Sequence, residues 1–454
     1  MKFFFTKILD KIRVKSFRTE NIIKHITISF FYKAGAILAN FLLVPLTIDY
    51  LGTENYGVWL TISSFISWFT FFDVGLGNGL RNRFAEARAS GNLKLAKAYI
   101  SSAYYTITSV SLLLFLVFFT FNGFINWTKV FNTSSELSSD LFILMPIIVG
   151  FFCLQLITKL IISIYLADQN HSIQVKVHFF TQVLSLIIIW LLTKTSQSSL
   201  YIFGVIFSSL PVIILLALNL FAFSNRFKSL KPTLSLWKKS YVKDIMGLGI
   251  NFFVIQIAAV ILFSTDNFII SKIFGPEEVV PYNLAFKYFS IVTMGYSILV
   301  NPYWSSFTEA YTKSDYNWIK TSVNSILKIW MLIPLLLVIM LLLADKFYFL
   351  WVGEKVVVSM TLSISMAIFV LMSTFNNIFV SFINGVGKTQ IQLITAIISM
   401  IINIPLSIFL AKTLGLGVPG VMFATCICLG YSVILRPLQY NKIINNKAKG
   451  IWNK

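Results

Sequence analysis

The stretch LFILMPIIVGFFCLQLITKLIISIYL, residues 141–166, contains a single charged side chain, Lys159. A helix needs roughly 20 mostly apolar residues to cross a bilayer, because backbone groups without hydrogen bonds are too costly in hydrocarbon. This stretch therefore predicts a membrane-spanning helix. The composition agrees, since 57% of the residues are hydrophobic, only 12% are charged and the mean hydropathy is +0.80. A soluble domain has about 25% charged residues.

Comparable apolar runs recur along the chain and predict about twelve spanning helices. The predicted spans are 26–48, 56–80, 99–121, 141–166, 177–192, 200–223, 245–270, 281–303, 322–344, 357–384, 390–411 and 418–435. Span 177–192 is short and span 357–384 is long, and a tilted or broken helix would change the count by one or two. The sequence thus predicts an all-α integral membrane protein.

Positive charge is distributed unevenly between the two sides of the predicted spans. Most of the 37 Lys and Arg residues lie on the side of the N-terminus, including the segments 81–97 and 226–243. The loops around Glu54, Glu136 and Glu277 on the other side are acidic or nearly uncharged. The positive-inside rule therefore predicts that both termini are cytoplasmic.

The formal net charge of +20 raises the question of a polyanionic partner. Nucleic acid is not expected, because the basic groups are spread over loops without a folded basic domain or an aromatic reading surface. Anionic headgroups account for most of the charge, which makes membrane lipids an expected partner.

The longest polar interval between spans, residues 224–244, divides them into two sets of six. The first residues of the chain are basic and interrupted by charge, so we expect an amphipathic arm rather than a cleavable signal peptide. The predicted organisation is a cytoplasmic arm at 1–25, a six-helix bundle at 26–223, a cytoplasmic linker at 224–244, a second six-helix bundle at 245–435 and a cytoplasmic basic tail at 436–454.

The two halves repeat weakly at an offset of 223 residues. The matching pairs are Gly52 and Gly275, Phe84 and Phe307, Glu86 and Glu309, Ala87 and Ala310, and Lys97 and Lys320. Because six spans separate the copies, the halves would share one orientation, as in transporters whose substrate path lies between parallel repeats. The sequence therefore predicts two bundles related by pseudo-two-fold symmetry around a central cleft. Chance similarity among apolar sequences is the alternative.

Ionisable side chains within the spans are candidates for function, because each is costly in lipid unless it faces protein or water. They are Lys33, Asp73, Lys159, Asp266, Lys287 and Lys328. A lysine near a helix end can instead extend to the interface, as we expect for Lys328. The candidate cleft cations that would bind substrate are Lys33, Lys159 and Lys287. For each of them, extension of the side chain to the membrane interface is the alternative.

Asp266 has a short side chain that cannot extend far, and Asn267 follows it. We expect a coupling or gating site at these two residues, which would bind a proton or a cation. A charge pair between Asp266 and either Lys33 or Lys287 is another expectation. The remaining alternative is a helix-end residue that water reaches from outside.

Asp73 opens the glycine-rich run DVGLGNG, residues 73–79, which leads to Arg81 and Arg83. Its glycines permit close helix contact or an unwound turn, so Asp73 is a second candidate for gating. No nucleotide-binding loop is expected, because no strand precedes the run and no Walker lysine follows it. The two arginines would either clamp a phosphate group of the substrate or anchor the loop to anionic lipid.

Neither a catalytic nor a metal-binding arrangement is expected from the sequence. The three histidines and the three cysteines, Cys153, Cys426 and Cys428, lack the spacing of ligands or nucleophiles. The loops between spans are too short to form a catalytic domain. We therefore expect that the protein is not an enzyme and that its cysteines are small core residues.

Four local segments carry a resemblance to a known family. They are Tyr50-Leu-Gly-Thr-Glu-Asn-Tyr-Gly-Val-Trp59, Phe72-Asp-Val-Gly-Leu-Gly-Asn-Gly-Leu-Arg81, Thr265-Asp-Asn-Phe268 and Phe274-Gly-Pro-Glu-Glu278. Together with the two sets of six spans, they resemble the multidrug/oligosaccharidyl-lipid/polysaccharide exporter superfamily. Within it, the chain is most similar to polysaccharide biosynthesis flippases of the O-antigen (Wzx) type.

The resemblance implies an alternating-access carrier that moves an undecaprenyl-pyrophosphate-linked oligosaccharide, an O-antigen or capsule-type repeat unit, from the cytoplasmic to the periplasmic leaflet. It also implies a cationic cavity, into which Lys33, Lys159 and Lys287 would fit. No cofactor is implied beyond a coupled proton or sodium ion. A polymerase and other polysaccharide assembly proteins are the implied partners.

Three alternatives predict different features. A cation-coupled drug exporter of the same superfamily should have an acidic, aromatic cavity, and four intramembrane lysines against two aspartates disfavour it. A membrane polysaccharide polymerase or ligase should have a large external loop, but the longest external interval, about 122–140, is short. A purely structural scaffold would not need intramembrane charges in matching halves.

Overall fold

The structure is a computed structural model that describes residues 17–69, 76–168, 170, 172–246, 264–300, 303–312 and 314–453. Within these ranges the chain is almost entirely helical and contains no strand. The first half contributes α1 (Phe17–Trp68), α2 (Leu76–Ala89), α3 (Leu93–Asn122), α4 (Trp127–Phe131), α5 (Ser138–Thr158), α6 (Leu160–Ala167), α7 (Ile173–Thr195) and α8 (Leu200–Ser224). Sequence and structure therefore agree on an all-α chain.

The second half contains the remaining helices. They are α9 (Lys239–Met246), α10 (264–274), α11 (Val279–Val300), α12 (Tyr303–Thr312), α13 (Tyr316–Trp330), α14 (Leu332–Val352), α15 (Met360–Val386), α16 (Gln390–Ile408) and α17 (Val418–Ile444). A short π-helical turn, Phe409–Thr413, extends α16. Helix α9 lies in the linker, and the others form the second bundle.

Nine helical stretches of the described residues are long and apolar enough to cross a membrane, so the chain is a multi-pass membrane protein. The first, Phe31–Trp68, holds two predicted spans, because two helices meet within α1 at Gly52 (φ 76°, ψ 169°). Helix α11 matches the predicted span 281–303, and α10 is the described end of the predicted span 245–270. Eleven of the twelve predicted spans thus have a helical counterpart among the described residues, and residues 247–263 of the remaining one lie outside them.

Helix ends differ from the predicted spans in two informative places. The span predicted as 177–192 is a full-length helix, Ile173–Thr195, whose first turn is polar and therefore lay outside the apolar run. Helix α17 continues to Ile444, beyond the predicted end at 435, so Arg436 belongs to a helix and not to the tail. Apolar composition locates the middle of a span better than its ends, because helices extend into the polar interface.

The helices form two bundles. In the first, α1 packs against α7, and α5 packs against α3 and α8; in the second, α15 packs against α11 and α17, and α17 against α16. Fully buried aromatic side chains fill both interiors, as at Phe84 and Phe203 in one bundle and Phe289 and Phe382 in the other. We call the side with residues 225–238 the terminal face and the side with Gly52 the distal face.

The linker folds back along the first bundle. The Thr233 backbone N–H donates to Ser101 Oγ at 3.1 Å, and Trp237 Nε1 donates to Thr106 Oγ1 at 3.1 Å. Helix α9 packs on α2 and α3. Any Cβ at Gly79 would collide with the carbonyl oxygen of Ile245, so a glycine is needed where the linker crosses α2. The linker is therefore part of the first bundle.

The internal repeat is also a structural repeat. Gly52 and Gly275 share an unusual backbone conformation, with φ of 76° and 100° respectively. The pair Gly91-Asn92 and the pair Ser314-Asp315, which are 223 residues apart, form the same turn, with φ of 73° at Gly91 and 59° at Ser314. We call these two turns the repeat turns.

Helix caps in the repeat turns match as well. Asn92 accepts a side-chain hydrogen bond from Leu95 N at 3.0 Å, and Asp315 accepts one from Trp318 N at 3.0 Å. Such N-caps satisfy a backbone N–H at the start of a helix. Chance similarity does not produce the same turn, cap and glycine conformation at one offset, so the two bundles are related by pseudo-two-fold symmetry.

Candidate functional site

The two bundles are joined by hydrogen bonds and ion pairs in the distal half of the molecule. Among the described residues these contacts are Phe41 with Trp351, Asp49 with Lys355, Tyr56 with Lys287, Ser64 with Asn267, Lys129 with Lys272, and Phe131 and Asn132 with Ser271. We call this set the distal seam. Because the described hydrogen bonds between the bundles lie there, the bundles are closed on the distal side.

The distal seam packs tightly at Gly57. A Cβ at this position would overlap the carbonyl oxygen of Pro276, which belongs to the 3-10 turn Pro276–Glu278 of the other bundle. Only a residue without a side chain lets the two backbones approach this closely.

Asp266 lies in the second bundle next to the distal seam. Its side chain is 2% exposed, and Tyr282 of α11 donates a hydrogen bond to Oδ2 at 2.5 Å. The other oxygen, Oδ1, is buried without a hydrogen-bond partner among the described residues. The alternative of a helix end solvated from outside is therefore wrong. A buried carboxyl with one open oxygen can accept a proton or a cation.

Asn267 takes part in the distal seam directly. Its Nδ2 donates to Ser64 Oγ at 2.8 Å, and its Oδ1 accepts from Asn283 Nδ2 at 2.8 Å. The amide therefore links α1 of the first bundle to α10 and α11 of the second. Any separation of the bundles on the distal side must break the bond between Asn267 and Ser64.

Lys287 is half-buried on α11, and its Nζ donates to Tyr56 Oη at 3.4 Å. Asp266 forms no ion pair among the described residues, so the expected charge pair with Lys33 or Lys287 is wrong for this conformation; Tyr282 donates to Oδ2, and Lys287 reaches the other bundle. Tyr282 and Lys287 are five residues apart, which places them about 140° apart around a helix of 3.6 residues per turn. One face of α11 thus meets Asp266 and a different face carries Lys287 to the other bundle.

The other two candidate lysines lie in the first bundle. Lys33 is half-buried on α1, next to Tyr32, whose ring packs edge-on against Phe179 of α7 at 5.1 Å. Lys159 is exposed at the break between α5 and α6. The structure does not bring Lys33, Lys159 and Lys287 into mutual contact. Their assignment to the substrate path stays a prediction.

Arg83 has a contact that the sequence did not suggest. It forms an ion pair with Glu86 at 2.9 Å, which raises the pKa of the Arg83 guanidinium above its ordinary value. Its Nε also donates to the backbone carbonyl of Asp244 at 3.3 Å, so it holds the linker on α2. Arg81 is half-buried on the same helix. Asp73 lies outside the described residues.

Several residues that contact the candidate site residues could not be identified from the sequence. Tyr282 and Asn283 reach Asp266 and Asn267 only because the chain folds back between α10 and α11 at Gly275. Nothing in the local sequence marked them. The ion pair between Asp49 and Lys355 was also missed, since its partners are far apart in the chain and come together only through the packing of the bundles.

Two family models match the chain. The model of the polysaccharide biosynthesis protein family matches residues 22–308, which include the first bundle, the linker and the beginning of the second bundle. The MatE model matches residues 252–409.

The chain is similar in sequence to curated proteins named for O-antigen transport or export. A protein of Salmonella typhimurium named as an O-antigen transporter is 23% identical over 288 residues, which cover 62% of this chain and 64% of that protein. One of Yersinia pseudotuberculosis named as an O-antigen export protein is 23% identical over 284 residues, covering 61% and 63%. The similarity thus spans less than two thirds of the length of these relatives.

Solved structures of similar fold include a multidrug resistance MATE family transporter of the MOP superfamily. Its inward-facing conformation matches with a TM-score of 0.77 at 14% identity, covering 93% of this chain and 98% of that one. The outward-facing conformation gives 0.62 at 14% identity, with 95% and 97% covered. The likeness shows the two-bundle fold.

Proposed function

Because the chain belongs to the polysaccharide biosynthesis protein family, we propose that it is a flippase for a lipid-linked oligosaccharide. The cargo is an undecaprenyl-pyrophosphate-linked repeat unit of O-antigen or capsule type, which the protein turns across the cytoplasmic membrane by alternating access. The observation that carries this proposal is the family match over residues 22–308. Relatives named as O-antigen transporters support the same cargo class.

The physical problem explains why such a carrier is needed. A pyrophosphate and its sugars cannot cross hydrocarbon unaided, whereas the polyprenyl chain can remain in lipid. In the conformation described here the distal seam is closed, so the headgroup enters the cleft from the terminal face, which the distribution of basic residues predicts to be cytoplasmic. Opening of the distal seam and closure of the terminal side then release it to the opposite leaflet.

The cargo headgroup is anionic, and the binding side chains we propose are cationic. Lys33, Lys159 and Lys287, with Arg81 and Arg83 at the terminal face, replace the water that the pyrophosphate loses on entry. Charge-assisted hydrogen bonds of this kind are stronger than neutral ones. In the closed distal seam the hydroxyl of Tyr56 holds Lys287, so the cargo must displace this contact to bind the ammonium group.

Asp266 is the proposed coupling site. Tyr282 holds Oδ2, while Oδ1 is open to a proton or a sodium ion. Its neighbour Asn267 belongs to the distal seam. Binding or release of an ion at the carboxyl therefore occurs one residue away from the hydrogen bond to Ser64, which breaks when the seam opens. We therefore propose that ion exchange at Asp266 biases the distal seam.

A second candidate function is cation-coupled export of small amphiphilic molecules, which the match of residues 252–409 to the MatE model favours. The two functions differ in cargo and not in fold. A test must therefore compare cargoes on one preparation of the protein.

The decisive experiment is reconstitution into liposomes with a fluorescent undecaprenyl-pyrophosphate-linked oligosaccharide. Transfer to the other leaflet is scored by the accessibility of the sugar to an impermeant lectin or enzyme. We expect protein-dependent transfer, and no extension of the oligosaccharide, which a polymerase would produce. Efflux of a cationic dye without transfer of any lipid-linked donor would instead establish the second candidate and overturn the first.

A further inference from the structure

Several polar side chains of the second bundle bury an atom that lacks a hydrogen-bond partner among the described residues, and three of them come from neighbouring helices. Asn376 of α15 is 3% exposed, and neither its Nδ2 nor its Oδ1 has a partner among the described residues. Gln392 of α16 and Arg436 of α17 are half-buried, and their buried atoms Oε1 and Nε likewise lack a partner in the described part of the chain. We call these three residues the amide-arginine pocket. An unpaired buried polar group is costly, which indicates a missing partner.

The helix register brings Gln392 and Arg436 to one depth in the membrane. Helices α16 and α17 run antiparallel, with Asn403 bonded to Thr425 at 3.1 Å. Further along, the Tyr431 hydroxyl donates to the Thr395 carbonyl at 2.6 Å. About one more turn along both helices places Gln392 beside Arg436.

Asn376 lies at the same depth. Helices α15 and α17 run parallel, and Phe379 packs against Tyr440 with ring centroids 5.6 Å apart. Residues that differ by 61 are therefore level on these two helices, which places Asn376 beside Arg436 and the following proline. The three side chains of the amide-arginine pocket come from three helices that pack around one position.

Arg436 has no carboxylate on these helices to neutralise it. No Asp or Glu follows Glu354 in the sequence, so α15, α16 and α17 carry none. The described ion pairs are formed by Arg83, Arg88, Arg226 and Lys355 and do not include Arg436. The Tyr431 hydroxyl is an electrostatic neighbour, but it is neutral and donates elsewhere. A cation near the end of a spanning helix still needs a counter-charge or water for its buried donors.

The fold itself does not require this polarity. The repeat-related helix of the first bundle, α8, buries only apolar residues, among them Leu200, Phe203 and Leu215. The amide on that helix, Asn219, accepts a hydrogen bond from Tyr104 Oη at 2.7 Å and donates to the Thr158 carbonyl at 2.8 Å. Asn376 has no such partner among the described residues, which indicates a role beyond packing.

We propose that the amide-arginine pocket binds a small inorganic anion, with chloride as the ligand. Arg436 Nε–H and the Asn376 amide supply hydrogen-bond donors, and the Gln392 amide turns its NH₂ group inward when the anion is present. The anion supplies the charge that the three helices lack.

The test compares the thermal stability of the purified protein in chloride and in gluconate at equal ionic strength. We expect a saturable rise of melting temperature with chloride, of about 3 °C at concentrations well above the dissociation constant. Arg436→Gln should abolish the chloride dependence. Lys412→Gln, which removes an exposed cation after α16, should retain it.

Two further measurements keep the proposal testable if Arg436→Gln fails to fold. Asn376→Leu removes a donor without removing the charge. The chloride concentration that gives half of the stabilisation should therefore rise at least tenfold. Crystals of the wild-type protein grown with bromide should show an anomalous peak beside Arg436. Equal stability of the wild type in chloride and gluconate, or chloride dependence that survives both substitutions, would overturn the proposal.

Discussion

At the scale of single residues, Gly57 sets how closely the two bundles approach. We expect Gly57→Ala to hold the distal seam apart, because its Cβ would overlap the Pro276 carbonyl oxygen. Overpacking costs about 1–3 kcal/mol, which lowers the closed population roughly tenfold or more. The measurement is the rate of cross-linking between cysteines placed at positions 49 and 355.

The matched control is Gly295→Ala on α11, where a Cβ would meet open space. This substitution should leave the cross-linking rate unchanged and slightly stabilise the helix. A cross-linking rate for Gly57→Ala equal to that of the wild type would show that the bundles do not close at Gly57.

Lys287 tests the proposed cationic path. We expect Lys287→Met to insert normally and to slow transfer of the lipid-linked oligosaccharide about tenfold, which corresponds to one charge-assisted hydrogen bond of about 1.5 kcal/mol. Lys346→Met, an exposed lysine of α14, is the control and should transfer at the wild-type rate. Wild-type transfer by Lys287→Met would remove this residue from the path.

The sequence shows where charged residues lie in the chain, but it does not show which residues they contact. Asp266 was recognisable as a carboxyl within a span, yet its partner Tyr282 depends on the turn at Gly275 that folds α11 against α10. The sequence predicts Lys33 or Lys287 as its charge partner, because opposite charges attract. The geometry of α11 decides otherwise, since a hydroxyl on the correct helix face reaches Asp266 first.

At the scale of elements, the repeat turns allow a controlled comparison within one chain. Ser314 holds a left-handed conformation (φ 59°) that costs a non-glycine residue about 1 kcal/mol or more, whereas its counterpart is glycine. We expect Ser314→Gly to raise the thermal unfolding temperature and Gly91→Ser to lower it. Opposite shifts of similar size are the expected result, and shifts of the same sign would contradict the equivalence of the two turns.

Spanning helices were predictable because hydrocarbon imposes a length and a composition on each of them independently. The repeat was predictable for a related reason, since glycines such as Gly52 and Gly275 are required by backbone conformation and not by distant partners. Helix ends were less predictable, as Ile444 of α17 shows, because the polar interface tolerates both helix and coil. The amide-arginine pocket was missed for this reason, since Arg436 was assigned to the tail.

At the scale of the whole molecule, transport requires the distal seam to open. We expect a short thiol-reactive linker between Asp49→Cys and Lys355→Cys, introduced after replacement of the three buried native cysteines, to abolish transfer reversibly. The control joins Arg88→Cys to Asp168→Cys, an ion pair within the first bundle, and should leave transfer intact. Undiminished transfer by the locked Asp49–Lys355 pair would exclude alternating access through this seam.

The exposure of that ion pair has a pharmacological consequence. Asp49 and Lys355 keep 45% and 56% of their side-chain surface exposed to solvent, so a ligand can reach both of them on the outer rim of the closed carrier. With the predicted orientation, this rim faces the periplasm. A zwitterionic molecule that bridges the two side chains would trap the empty carrier from outside, so it would need neither to enter the cytoplasm nor to compete with the lipid-linked sugar.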